Sequence, residues 1–168
     1  MKLINIDFDK ITTNEIISFY SQTIKELKKR NIIRTKNITG ELGEYIVVDY
    51  YRNNPKLPNL QFAPPSTENI DAISTKGERY SIKTITNNGS TGVFYGLPSI
   101  DSNEIPIQKF EYVIIVKLND DFELECILEL TWNQFLEKKK WHSRMQAWNL
   151  SYSQKLIENS NIIFTTFK

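Results

Sequence analysis

The stretch that most constrains this 168-residue chain is Tyr112-Val-Ile-Ile-Val116, the centre of a nearly continuous apolar run over residues 110–118. An unbroken, β-branched-rich run of that length predicts a strand covered on both faces. Residues 122–130 read differently. Phe122, Leu124, Cys126, Leu128 and Leu130 alternate with Glu123, Glu125 and Glu129, the pattern of a half-exposed strand. Together these strands predict an α/β domain in which a central mixed β-sheet is flanked by helices. Cys126 is the one cysteine, which excludes an intramolecular disulfide and a thiolate zinc cluster, and it reads as a buried structural thiol.

A second strand pair is predicted at residues 69–84, where apolar and polar residues alternate on either side of Lys76-Gly77-Glu78. Loop length decides what this hairpin can do. A two-residue loop, Lys76-Gly77, pairs Asp71 with Ile82 and puts Asp71 and Lys83 on opposite faces. A three-residue loop over residues 76–78 pairs Thr75 with Arg79 and Asp71 with Lys83, and then Asp71, Ser81 and Lys83 share a face. The glycine favours the longer loop. A carboxylate and an ammonium so placed suit phosphodiester hydrolysis, the acid holding a hard divalent cation and the lysine stabilising charge at phosphorus.

Before the hairpin, Thr12-Thr-Asn-Glu15 has capping-box spacing, and Ile16, Ile17, Tyr20, Ile24 and Leu27 recur at helical intervals, predicting an amphipathic helix. A second helix is predicted over residues 39–51, with Leu42, Tyr45, Ile46 and Tyr50 buried and Glu41 and Glu44 sharing another face. That acid pair is either a solvated surface feature or has Glu44 aimed at the hairpin, with Gly40 and Gly43 admitting another backbone. Residues 52–67 hold four of the six prolines and read as a loop. Thr131-Trp-Asn-Gln134 is a second capping box, followed by a helix, a further helix over 151–158 and a last strand over 161–167. Residues 5–10 read as a short edge strand or an arm.

About 40% apolar content over this length suits one compact domain. No apolar run reaches the ~18 residues of a membrane span, and acids interrupt the N-terminal apolar segment, so a cytoplasmic protein with no membrane association is expected. A net charge of +1 argues against bulk-charge coating of nucleic acid. Charge is nevertheless concentrated locally: Lys25, Lys28, Lys29, Arg30, Arg34 and Lys36 face only Glu26 in sequence, and Lys138, Lys139, Lys140 and Arg144 form a second cluster. Each is either a solvated helix end or a phosphate-contacting surface. Residues 86–108 predict a long irregular loop, in which Phe94 and Tyr95 either anchor it or form an aromatic tip. His142 alone makes no zinc site. No Gly-rich phosphate loop appears, so no nucleotide cofactor is expected.

Gly43-Glu44 on a helix, Ile70-Asp71 on a strand and Ser81-Ile82-Lys83 on the next resemble the core of the PD-(D/E)xK nuclease superfamily, in particular its Mrr-like branch that writes the last motif Gln-x-Lys. The resemblance covers roughly residues 38–130 and implies a restriction-endonuclease-like αβββαβ core, with the N-terminal helix and the C-terminal helix and strand as additions. It implies Asp71 and Glu44 as ligands of Mg2+ or Mn2+, Glu41 behind them, and Lys83 with Ser81 completing the catalytic set. By the same resemblance the chain is a Mg-dependent DNA endonuclease of restriction or phage defence, acting as a homodimer on DNA. Lys28, Lys29, Arg30, Arg34, Lys36, Lys139, Lys140 and Arg144, with Tyr95, are then its nucleic-acid contacts.

Position 81 departs from the pattern. The superfamily usually places Glu, Asp or Gln there, and a serine hydroxyl is a poorer ligand for Mg2+. Either Glu44 supplies the missing charge, or the chain is a catalytically inactive nucleic-acid-binding or partner-binding module on the same fold. A globular domain unrelated to nucleases is the third alternative.

Overall fold

The computed structural model describes residues 6–64, 67–86 and 89–166. Its helices are α1 (Thr13–Lys29), α2 (Ile38–Asn53), α3 (Trp132–Lys138) and α4 (Gln154–Glu158). The strands are β1 (Leu60–Phe62), β2 (Ala72–Ser74), β3 (Arg79–Ile85), β4 (Tyr112–Leu118), β5 (Leu124–Thr131), β6 (Lys140–His142), β7 (Ala147–Asn149) and β8 (Asn161–Thr165). Among the described residues, six strands form one mixed sheet in the order β1-β2-β3-β4-β5-β8, and β6 and β7 pair separately. Only the β3–β4 pair is parallel; the other neighbours run antiparallel. The fold is therefore mixed α/β, as the strand patterns predict.

β4 lies centrally because Val113, Ile114, Ile115 and Val116 are all fully buried, two on each face. Period-two alternation assigns them to two cores. Ile114 and Val116 pack with Val47, Val48 and Tyr51 of α2 and with Tyr80 and Ile82 of β3. Val113 and Ile115 pack with Phe94, Phe110, Phe135 of α3 and Leu156 of α4. Burying a side chain of this size stabilises by roughly 1.5–3 kcal/mol, so a charge at any of these four positions is excluded, and the strand's one lysine, Lys117, comes after them and pairs with Glu125.

Both predicted capping boxes are present. Thr12 and Glu15 exchange hydrogen bonds at the start of α1, and Thr131 and Gln134 do so at α3. α1 differs from expectation in its packing: none of its residues is buried, and Ile16, Ile17, Phe19 and Tyr20 are exposed. Capping and propensity are local and form the helix; nothing local obliges its apolar stripe to meet the sheet.

α2 is turned relative to the face expected to be buried. Gly43, Val47, Val48 and Tyr51 are covered while Tyr45 is exposed. Gly43 decides this orientation. A Cβ there would lie 1.9 Å from Thr84 Oγ1, so only glycine lets α2 approach β3 this closely. The rotation carries Glu41 inward to 5% exposure.

Residues 5–10 form a 3-10 turn over Phe8–Lys10, with residue 5 outside the described part. β1 was not foreseen in the proline-rich loop; it is a three-residue edge strand, the position where nearby prolines cost no ladder hydrogen bond. Cys126 is buried, and burial pushes its thiol upward in pKa. Among the described residues no helix is long and apolar enough to cross a membrane.

Candidate functional site

The β2–β3 hairpin closes through a three-residue loop over residues 75–77, one residue earlier than expected. Gly77 takes φ +85 and donates its N–H to the Ser74 carbonyl at 2.9 Å, while the Ser74 N–H donates to the Glu78 carbonyl at 2.8 Å. The left-handed position in such a loop is the last of its three residues, so Gly77 has to end the loop rather than centre it. The pairing slides by two: Ala72 faces Tyr80 and Ile73 faces Arg79. Asp71 is therefore not opposite Lys83 but next in line opposite Ser81. A slip of two preserves parity, so by register Asp71 still falls on the face shared by Ser81 and Lys83.

Asp71 lies where β2 gives out. Its own N–H donates to the Tyr80 carbonyl at 2.9 Å, and its Oδ2 accepts the Ile82 N–H at 2.6 Å, filling a ladder position that β2 no longer supplies. Ser81 Oγ lies 3.5 Å from the same oxygen. Ser81 is fully buried, so it helps fix Asp71 and offers nothing to an ion arriving from solvent.

Glu44 approaches from α2. Burial and the nearby Asp71 charge push its carboxyl up to about 7, against the lowering influence of Arg34 and Lys83. The helix and hairpin thus bring Glu44, Asp71 and Lys83 within electrostatic reach of one another. Arg34, in the loop before α2, donates from Nη2 to Glu44 Oε2 at 2.9 Å. Its guanidinium also lies over the Phe62 ring. Glu41 is committed elsewhere. Burial raises its pKa, but its Oε2 accepts the N–H groups of Arg34 and Thr35, and these bonds bring the carboxyl below its ordinary range. Glu41 fastens the entry to α2 and so holds Arg34 in place.

Lys83 projects from the other side of the sheet. Tyr80 and Ile82 pack toward α2, whereas Ile85 belongs to the opposite core and Lys83 Nζ lies 5.0 Å from the centroid of Phe94 there. Ser81 and Lys83 share their face with Phe94, and Glu44 belongs to the α2 side. Asp71, at the end of β2 and opposite Ser81 in register, contacts both Ser81 Oγ and the Ile82 N–H through Oδ2. Phe94 is the loop anchor, 1% exposed, while Tyr95 is half exposed with its carbonyl held by Asn69 Nδ2 at 3.1 Å.

The two basic clusters, alike in sequence, differ in structure. Lys28 and Lys29 lie on the exposed last turn of α1, and Lys36 is exposed. Arg30 is paired with Glu26 at 2.9 Å, and Arg34 with Glu44. In the second cluster Lys139 Nζ lies 3.2 Å from the centroid of Trp148, and burial lowers its pKa. Lys140 is exposed at the start of β6, and Arg144 is exposed in the turn after it.

Four participants escape a reading of the sequence: Arg34 as a carboxylate clamp, Phe94 as the seat of Lys83, Trp148 as the seat of Lys139, and Lys155 beside the second cluster. The β6–β7 hairpin did leave a signal. Trp141 and Trp148 flank a polar turn and pair directly across it with ring centroids 5.1 Å apart, the arrangement in which aromatic cross-strand pairs stabilise a hairpin.

Two carboxylates of hard oxygen character, Asp71 and Glu44, suit Mg2+, which accepts one or two protein carboxylates and keeps much of its water. Among the described residues no set of three or more Asp, Glu, His or Cys is placed to hold a metal ion. The upward pressure that Asp71 exerts on Glu44 is repulsion between like charges, which a divalent cation would relieve. No family model matches the chain, and neither does any curated protein.

Proposed function

We propose that this chain is a Mg2+- or Mn2+-dependent DNA endonuclease on a restriction-endonuclease-like core, acting in the cytoplasm as a homodimer in restriction or phage defence. The observation that carries the reading is the electrostatic coupling of Glu44 to Asp71 and Lys83, contributed by α2, the end of β2 and β3. A carboxyl held near neutrality by burial and a like-charged neighbour at an open sheet end is a recognised mark of a functional site.

In this reading Asp71 and Glu44 hold the cation, which supplies a Lewis acid and neutralises phosphate charge. Asp71 is fixed for that task by the Ile82 N–H, leaving its second oxygen for a ligand. Lys83, with no carboxylate within 4.0 Å among the described residues, presents an ammonium to the phosphate. Because Lys83 and Glu44 belong to opposite faces, the scissile phosphate would have to sit at the open end of β2, where the faces meet around Asp71. Tyr95, exposed on the loop that Phe94 anchors, stands beside this opening and is suited to stacking on a base.

One observation favours the second reading, a non-catalytic nucleic-acid-binding module. Arg34 already neutralises Glu44, and Ser81 is buried rather than presented to solvent. Supercoiled plasmid separates the two. Incubated with Mg2+ or Mn2+, the wild-type chain should relax or linearise it, and Asp71→Ala and Lys83→Ala should each be slower by a factor of about 100 or more. If wild type and both variants leave the plasmid equally intact while still retarding it in a gel, the endonuclease reading fails and the module stands.

A further inference from the structure

A second feature lies beyond Asp71, Glu44 and Lys83. The C-terminal end of α3 and the segment from β7 into α4 enclose a cavity of about 180 Å³ lined by Lys138, Lys139, Lys140, Ser151, Ser153 and Lys155. That space is more than ten times the ~10–15 Å³ one water needs on this measure, enough to admit a hydrated anion. Glu137 is the one acid on its wall. None of the four lysines has a carboxylate within 4.0 Å among the described residues.

The helix dipole accounts for Lys138 at the end of α3. It does not account for Lys155, which arrives from a different helix some fifteen residues later, nor for the hydroxyls. Ser153 Oγ accepts the Leu156 N–H at 3.3 Å, so its own hydrogen remains to be donated. Trp148 holds Lys139 in place and is itself fixed by its Nε1–H donating to the Pro98 carbonyl at 2.7 Å. Four ammonium groups, none paired with a carboxylate among the described residues, and the Ser153 hydroxyl converge here from three elements, with Ser151 Oγ 3.5 Å from Ser90 Oγ at the edge.

The cavity is also tied to the candidate site. Antiparallel bridges join Ser90 to Ser151 and Phe94 to Trp148, so the loop whose Phe94 seats Lys83 runs along the segment that supplies Ser151. The four-residue step from 90 to 94 spans at most about 14 Å. Successive phosphates of one strand are 3.4 Å apart along the axis of a duplex, so this step of chain corresponds to about four nucleotides, to which the bridges and side chains at either end add.

We propose that this cavity binds a backbone phosphate of a nucleic acid, a few nucleotides from the phosphate addressed by Lys83. The inference rests on the nucleic-acid substrate proposed above, but not on cleavage. Lys140 and Lys155 are exposed, so Lys140→Gln/Lys155→Gln should leave the fold intact, as circular dichroism would verify. Binding of a fluorescein-labelled DNA duplex is read by anisotropy in EDTA between about 50 and 200 mM salt. Loss of two phosphate contacts should reduce the slope of log affinity against log salt by about 1.8. Lys56→Gln/Lys76→Gln, which removes two exposed lysines elsewhere, should leave that slope unchanged.

Equal reductions in both double variants would mean diffuse charge attraction and overturn the proposal, as would no reduction in Lys140→Gln/Lys155→Gln or no DNA binding by the wild type. Displacement of the duplex by inorganic phosphate at far lower ionic strength than by chloride would assign the cavity to free phosphate and overturn the backbone assignment. A selective loss of slope in a protein that cuts nothing would keep the phosphate site and remove only the endonuclease reading.

Discussion

The acids near α2 and the lysines near Phe94 and Trp148 are held in different ways. On the α2 side stand carboxylates, each answered by a partner: Glu41 by two backbone N–H groups and Glu44 by Arg34. On the other side stand ammonium groups over aromatic rings, Lys83 on Phe94 and Lys139 on Trp148, with no carboxylate close to either. Buried acids need hydrogen bonds or cations because desolvating a charge is expensive, whereas a lysine can rest its stem and charge on a ring and remain available to an anion. Glu41 and Glu44 are thus answered internally, whereas Lys83 and Lys139 have no carboxylate within 4.0 Å among the described residues. Asp71, at the end of β2, is coupled electrostatically to Glu44 and bonded to the β3 backbone that carries Lys83.

The contrast can be broken most severely at Gly43. Replacing it by Ala puts a methyl where Thr84 Oγ1 now lies, which must push α2 away from β3. A loss of about 2–3 kcal/mol in urea unfolding is expected, and Thr84→Gly in the same chain should recover part of it. An unchanged midpoint for Gly43→Ala would mean that α2 can lie elsewhere, and the acid side would lose its definition.

Glu44 sharpens the comparison through pH. Its carboxyl is raised from 4.5 to about 7, so between those values the folded chain keeps a proton that the unfolded chain has released. Stability therefore falls as pH rises through that window, and the penalty is fully developed above about 7. Its upper bound is about 3 kcal/mol, from a displacement of roughly 2.5 pH units at 1.36 kcal/mol each. Glu44→Gln should flatten the decline between pH 4.5 and 7, as urea unfolding at a series of pH values would reveal. Glu41 moves in the opposite direction, its stabilisation being present at neutral pH and lost on acidification. Identical pH dependence in wild type and Glu44→Gln across the same window would contradict the placement of Glu44 beside Asp71.

The smallest effect belongs to the basic side. Lys83→Met should change thermal stability by no more than the ~0.5–1 kcal/mol of a cation–π contact, because no carboxylate pairs directly with the ammonium and its pull on Glu44 is the weakest of the influences on that group. A drop several times larger would indicate that Lys83 is structural and would remove it from the set available to a ligand.

Much of the local architecture was legible in the sequence. The two capping boxes place the starts of α1 and α3 because a hydroxyl and a side-chain acceptor three residues apart complete each other regardless of the rest of the fold. The apolar run at residues 112–116 marks the central strand for a comparable reason, since no other place in a sheet accepts it. The hairpin was legible to within a register slip of two, and the parity that puts Asp71 on the face of Ser81 and Lys83 survived because side chains alternate with period two.

What the tertiary structure alone decided is which groups meet across elements. Period and propensity suggested burying Leu42 and Tyr45 on α2, but the close approach of Gly43 to Thr84 turned the helix and brought Glu41 and Glu44 inward. Nothing in residues 28–36 distinguishes Arg34 from its basic neighbours until α2 presents Glu44 to it. Lys139 and Lys155 become neighbours only through the β6–β7 hairpin and α4. Caps, turns and strand alternation are settled by interactions within a few residues, whereas the pairing of charges depends on how packed surfaces rotate against one another, a property of the whole core.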